Sequence, residues 1–272
     1  MTFLGLLITI IVMADSSRLY TSEKLSSSLI NCVTQDKYGF MWIGTEYGLS
    51  KFDGYKFTNY LHNSKDTTSI ADNIISSFLV DKKGRLWIGC AKGLMRYNST
   101  NDNFIQYHFP DGRKPRIYDM IESRNGDILM GTAGFGLYSI KRGTDKIKYE
   151  KQYSTRDSNM FYTHIFEDSH GYLWQGSHLN RFTRFSKYKN KVKITYYDSP
   201  CGAPVNFYQD WKNSMMIVCM FGIVNYDYTT GKITDAGYNF GPYKGNITIN
   251  CSKYDKNGNL YIGRSEEHTS EL

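Results

Sequence analysis

One nine-residue phrase recurs along this chain and restricts its fold more than any other feature. Its fullest form is Asp36-Lys37-Tyr38-Gly39-Phe40-Met41-Trp42-Ile43-Gly44, followed by Gly48-Leu49-Ser50-Lys51-Phe52. Asp81-Lys82-Lys83-Gly84-Arg85-Leu86-Trp87-Ile88-Gly89, with Gly93-Leu94-Met95-Arg96-Tyr97, is a near copy. Weaker copies lie at residues 125–131, 168–176, 210–226 and 255–263. The first turn glycine, replaced once by Asn213, falls at 39, 84, 126, 171, 213 and 258, so the phrase returns every 42 or 45 residues. A period of that size marks an array of equal supersecondary units.

Each unit reads as strands. Residues 74–80 are a β-rich run, and Asp81-Lys82-Lys83-Gly84 reverses the chain. Aspartate at the first turn position bonds backbone two residues on, and glycine at the fourth accepts positive φ. Residues 85–88, 94–97 and 104–107 then supply a second, third and fourth strand. Four strands of about six residues plus turns fill roughly 40–45 residues, the length of one propeller blade. A single blade cannot bury both faces, so neighbours must stack. The expectation is an all-β chain: a β-propeller of four-stranded blades, incomplete, with five full blades and the first two strands of a sixth.

Composition agrees, since 23 Tyr and 15 Phe against 5 Pro suit strands. The net charge of +7 is scattered over strands and turns. Nucleic-acid binding requires a focused basic face, so no nucleic-acid partner is expected. Residues 3–14 carry no charge and are rich in Leu and Ile, but are short for a membrane span of about 20 residues. Val12-Met13-Ala14 places small residues where a secretory signal is cleaved, although nothing basic precedes Arg18. Residues 1–14 are therefore expected to be a signal peptide or truncated signal-anchor, residues 18–263 the partial propeller, and the mature chain exported.

Residues that carry chemistry are scarce. The chain has no P-loop, zincin motif, nucleophile elbow or dinucleotide fingerprint. His164, His170 and His178 share one unit but fall on a strand, a turn and the opposite loop, so no metal site is expected. Asp36, Asp81, Asp168, Asp210 and Asp255 share one turn position and read as turn-formers rather than a catalytic set. No catalytic residue and no cofactor is assigned. The five cysteines (Cys32, Cys90, Cys201, Cys219 and Cys251) fit no disulfide framework; all but Cys201 read as small buried residues. Loops between the second and third strands carry Glu46, Tyr47, Lys92, Phe135, His178, Asn180 and Phe221. Aromatic platforms beside polar groups suit a sugar ligand, and these seven are the candidate ligand-binding residues.

The pattern Asp-x-x-Gly-x-x-Trp-Ile-Gly-Thr-x-x-Gly-Leu-x-x-Phe, seen at residues 36–52, resembles the two-component regulator propeller repeat. The likeness covers residues 18–263; Leu129, Gln175 and Asn213 depart from it. It implies the periplasmic sensor of a hybrid two-component system of Bacteroides-type bacteria, with an oligosaccharide or other small ligand. It further implies a seven-bladed ring, downstream domains including a histidine kinase, a homodimer in the intact receptor, and no enzymatic activity in this part. A propeller lyase or hydrolase, or a protein-interaction scaffold, are the other classes considered. Two expectations concern the ends. The segment around Leu19-Tyr20 is expected to be the fourth strand of the closing blade. Residues 264–272, Arg-Ser-Glu-Glu-His-Thr-Ser-Glu-Leu, lose the pattern and resemble a translated sequencing adapter; they are expected to be non-native and to complete no strand ladder.

Overall fold

A computed structural model describes residues 24–153, 162–188, 191–209, 214–237, 248–255 and 257–265. Its strands form five four-stranded antiparallel sheets and one two-stranded sheet. Blade one comprises β1 (Ile30–Gln35), β2 (Met41–Thr45), β3 (Gly48–Phe52) and β4 (Phe57–Tyr60). Blade two comprises β5 (Ile75–Val80), β6 (Leu86–Cys90), β7 (Gly93–Asn98) and β8 (Asn103–Tyr107). Blade three holds β9 (Ile117–Glu122), β10 (Ile128–Thr132), β11 (Leu137–Ile140) and β12 (Ile147–Tyr149). Blade four holds β13 (Tyr162–Glu167), β14 (Leu173–Ser177), β15 (Arg181–Tyr188) and β16 (Lys191–Asp198). Blade five holds β17 (Pro204–Gln209), β18 (Ser214–Cys219), β19 (Gly222–Asp227) and β20 (Ile233–Asp235). β21 (Thr248–Tyr254) and β22 (Leu260–Ser265) begin a sixth. In each complete blade the strands follow one another as an up-and-down meander. This is the β-propeller architecture, and the strand count matches the sequence expectation.

Contacts divide the chain into two compact units: residues 1–129 with 139–148, and residues 130–138 with 149–272. The division falls inside blade three. In the first unit β1 lies against β5, and β5 against β9. In the second, β13 lies against β17, and β17 against β21.

The recurring phrase has a physical reason at each position. Gly39 and Gly84 adopt φ of 90° and 72° and close the turns. The aspartate does more than form the turn. Asp36 Oδ1 accepts the amides of Tyr38 and Phe40, and its Oδ2 accepts the Trp42 indole N–H at 2.8 Å. Asp81 receives Trp87 at 2.9 Å and Asp168 receives Trp174 at 2.7 Å. All three indoles are fully buried, so the spacing from Asp to Trp satisfies an N–H that would otherwise be stranded. Burial works against the ionised form of Asp81, but bonds from Trp87 and Arg85 outweigh it and hold its carboxyl below the usual range. Asp210 lies outside the described residues.

The glycine after Trp-Ile makes room for the next blade. A side chain at Gly44 would collide with Ile75, and one at Gly89 with Ile117, each near the start of the following blade's first strand. One residue further on, Thr45, Cys90, Thr132 and Ser177 each donate across the loop between second and third strands, to the carbonyls of Gly48, Gly93, Gly136 and Arg181. Cys90 thus serves as a buried hydrogen-bond donor, and burial pushes its thiol up to about 12. The cysteines differ from expectation in one respect: Cys251 is exposed and Cys32 only half-buried.

A second regularity joins neighbouring blades. The third strand carries a cation over the tryptophan of its own blade: Lys51 over Trp42, Arg96 over Trp87 and Arg184 over Trp174. Lys51 Nζ also donates to Tyr97 Oη of blade two at 2.9 Å and pairs with Asp102 at 3.5 Å. Tyr60 and Tyr97 both donate to that same carboxylate. Burial opposes ionisation of Asp102, but Tyr97, Tyr60 and Lys51 together hold its carboxyl low. Arg96 reaches Asp145 at 4.0 Å, and Tyr107 donates to Asp145 at 3.3 Å, repeating the arrangement between blades two and three. In the second unit Arg184 bonds Tyr226 of blade five.

The ends of the chain differ from expectation in part. β22 includes Arg264 and Ser265, which pair with Ile249 and Thr248. A ladder is made by backbone groups and tolerates a polar sequence, so loss of the repeat pattern at Arg264 does not end the strand. Residues 266–272 and the Leu19-Tyr20 segment lie outside the described residues. Among the described residues no helix is long and apolar enough to cross a membrane.

Candidate functional site

In an antiparallel meander, the turns joining strands one to two and three to four share one end of a blade, and the loop joining strands two and three lies at the other. The candidate loops therefore share their end with the segments leading into each first strand. Glu46 N–H donates to Leu29 O at 3.0 Å, Ala91 N–H to Ile74 O at 2.9 Å and Met220 N–H to Ala203 O at 2.9 Å.

In the first unit, Glu46 and Tyr47 form the loop between β2 and β3. Glu46 accepts Asn31 Nδ2 at 2.8 Å, and Tyr47 presents its ring to solvent at 59% exposure. Lys92, between β6 and β7, pairs with Asp72 at 3.0 Å, and that contact raises its pKa. Both charged candidates are thus engaged within the protein, which leaves Tyr47 as the ring offered outward here.

In the second unit, Phe135 lies in a loop flanked by Gly134 and Gly136, both at positive φ, and is 38% exposed. His178 follows β14; burial holds its imidazole below the ordinary value, so it is neutral at pH 7. Asn180 adopts φ of 54°, and its carbonyl accepts Ser199 N–H at 2.7 Å, a structural task that suits asparagine's tolerance of the left-handed region. Phe221 is 59% exposed and its amide donates to Cys201 O at 2.9 Å. Leu179, 56% exposed between His178 and Asn180, also faces solvent and was not among the predicted residues. Among the described residues no group of three or more His, Cys, Asp or Glu is placed to hold a metal ion.

Sequence reasoning missed a second feature. In the first unit, at the opposite end of blades two and three, a cavity of about 180 Å³ opens among basic turn residues and Glu122. The signal was present: Lys82-Lys83, Arg124 and Lys141-Arg142 fall in turns that the meander brings to one end.

Comparison with known proteins bears on what such a molecule does. The family profile described as "Two component regulator propeller" matches residues 24–47 and 69–92. Histidine kinase P4 of Formosa agariphila is 47% identical over 49 residues, which is 18% of this chain and 4% of that protein. Among solved structures, the extracellular domain of a one-component system from B. thetaiotaomicron superposes with a TM-score of 0.66 at 20% identity, covering 87% of this chain and 31% of that one. The extracellular domain of a hybrid two-component system from B. thetaiotaomicron gives 0.57 at 18% identity, covering 91% and 40%. Virginiamycin B lyase from Staphylococcus aureus gives 0.61 at 18% identity, covering 86% and 83%. The chain spans less than half of those two extracellular domains. At such identities the likeness is one of fold, and the fold hosts both receptors and an enzyme.

Proposed function

We propose that this chain, whose first two blades carry two-component regulator propeller repeats, is the extracytoplasmic ligand-sensing part of a hybrid two-component receptor. The profile match over residues 24–47 and 69–92 carries the reading. The ligand in this reading is a glycan or its breakdown product. What supports that class is the exposed rings at the second-to-third-strand end: Tyr47 in one unit, Phe135 and Phe221 in the other. Aromatic faces pack against the apolar faces of sugars, and adjacent polar groups orient hydroxyls. In this reading the apolar segment at residues 3–14 directs export, and the domain works in the periplasm. The kinase, the membrane anchor and a dimeric assembly belong to the whole receptor, and this part contributes binding and no catalysis.

Signalling then follows from differential affinity: a ligand moves a receptor between states only as far as it binds one better than the other. The test is thermal-shift screening of the chain against a panel of oligosaccharides, since a ligand bound only by the folded state raises its melting temperature. A hit whose shift disappears when Tyr47, Phe135 and Phe221 are together replaced by Ala supports the reading. A hit unaffected by those substitutions moves the site elsewhere, and turnover of a hit would make the chain an enzyme.

A further inference from the structure

We propose that the cavity between the β5–β6, β9–β10 and β11–β12 turns binds a doubly charged tetrahedral oxyanion, a phosphate or sulfate group. The inference does not rest on the sensor reading, because the site lies at the other end of the blades from the second-to-third-strand loops. Lys82, Lys83 and Arg85 line it from the first turn, Arg124 from the second, and Lys141 and Arg142 from the third. Glu122 is the single carboxylate in the lining, and it accepts the Lys82 amide at 2.6 Å.

Two further acids stand close by, and each already has its cation. Arg85 holds Asp81 at 2.6 Å and Lys141 holds Asp127 at 2.7 Å. Burial opposes the charge on Asp127, but Lys141 and the Arg142 amide outweigh it and keep the carboxyl low. The side chains of Lys82, Lys83 and Arg142 have no carboxylate partner among the described residues. Behind them the floor is apolar, with Ile128 and Ile140 each 2% exposed. At Gly126 a side chain would stand 3.0 Å from Arg142 Cδ, so its absence lets the arginine stem lie over the turn.

Gathered like charges above a low-dielectric floor focus a positive potential, and a bound anion relieves their mutual repulsion. The geometry favours a tetrahedral group over a flat carboxylate. A carboxylate is matched by one guanidinium fork, whereas point-charge lysines and an arginine arriving from separate turns suit several oxygens pointing different ways. The repeat itself does not dictate this arrangement: at the equivalent turns blade one has Lys37-Tyr38 and Asp53-Gly54.

The experiment is isothermal titration of the full chain with inorganic phosphate, sulfate, glucose 6-phosphate and acetate, at ionic strength fixed with sodium chloride. Saturable one-to-one binding of phosphate or sulfate is expected, with acetate far weaker. The variant Lys82→Gln/Lys83→Gln/Arg142→Gln should weaken it by roughly tenfold or more, while Lys65→Gln in a distant loop leaves it unchanged. Lys83→Gln alone, at an exposed position, serves if the triple variant does not fold. Glucose 6-phosphate binding more tightly than phosphate assigns the anion to an ester on a larger ligand; equal binding assigns it to the free ion. Absence of saturable binding at millimolar concentration, an unchanged affinity in folded variants, or acetate matching phosphate would each overturn the proposal.

Discussion

Lys51 in the first unit and Arg184 in the second occupy the same place in their blades and secure a neighbouring blade by different means. Lys51 closes on a carboxylate: Asp102 takes Lys51, Tyr60 and Tyr97 together. Arg184 closes on rings. Its guanidinium lies 4.9 Å from Tyr172, 5.6 Å from Trp174, 5.9 Å from Tyr197 and 5.6 Å from Tyr226. The step that leads from Tyr97 to Asp102 leads from Tyr226 to Gly231. Both residues adopt the left-handed conformation, Asp102 at φ 49° and Gly231 at φ 68°. The backbone of the turn is thus retained while its acid is not, and Arg184 Nε is buried without a hydrogen-bond partner. Lys51 too lies over rings, those of Phe40, Trp42 and Tyr97. The difference is that the first contact adds a carboxylate on a strained turn residue, while the second rests on rings alone beside a relaxed one.

The largest test of that contrast is deletion of the tryptophan beneath each cation. Trp174 contacts the rings of Phe182, Tyr197, Phe207, Tyr226 and Tyr228, whereas Trp42 contacts those of Tyr60 and Tyr97. Trp→Ala in a core costs about 3–5 kcal/mol, and Trp174→Ala is expected at the upper end with Trp42→Ala below it. Urea unfolding followed by circular dichroism measures both, and a larger loss for Trp42→Ala would contradict the aromatic account of the second unit.

A smaller loss is expected from the indole N–H alone. Trp42→Phe and Trp174→Phe each remove one bond to a buried aspartate, at about 1–3 kcal/mol, beyond the lost ring area. The two should differ, because Tyr228 also donates to Asp168 at 2.8 Å and keeps that carboxylate partly satisfied. Trp42→Phe therefore loses more of its stability through the hydrogen bond, which a double-mutant cycle with Asp36→Asn and Asp168→Asn resolves.

Next in size is the carboxylate itself. Asp102→Asn is expected to cost about 1 kcal/mol, since the pair with Lys51 is half-exposed and screened. The same contact gives a pH signature. Asp102 has its folded pKa depressed, so its contribution is present above the ordinary carboxylate range and is lost as pH falls through the lowered value. Amide exchange at Tyr97 should quicken over that acidic window, while Tyr226, bonded to Arg184 without a carboxylate, keeps its protection. Equal loss at both amides would remove the distinction. The smallest effect is expected from Gly231→Asp, which supplies the missing acid but places a side chain at positive φ. The two contributions offset to within about 1 kcal/mol, and the diagnostic is salt sensitivity gained by the variant.

The blades were legible in the sequence because turns are local. Asp81 to Gly84 needs only its own residues to close, and the β-rich run 74–80 that precedes it needs only its own composition to read as a strand, so the strands fell where they were expected. Asp36, Asp81, Asp168 and Asp255 each bond turn amides as the sequence reading held, yet the bond from Asp36 to Trp42 was not foreseen, although both residues recur in register. A cation before the aromatic of the third strand, at Lys51, Arg96 and Arg184, was equally visible and went unread. The candidate loops were placed at the intended end of each blade, but nothing in the sequence said that Asn31 would engage Glu46 or that Asp72 would engage Lys92.

What the sequence determined by itself is the repeating unit: its length, its turns, its four strands and the positions of Trp and Gly within it. These depend on backbone geometry over a few residues and on a period that survives divergence. What only the tertiary structure decided is which side chains meet across blades. Lys51 finds Asp102, Arg184 finds rings, and six cations converge on one cavity. Those meetings join residues dozens of positions apart. Their energies fall steeply with distance and with solvent screening, and spacing along the chain fixes neither.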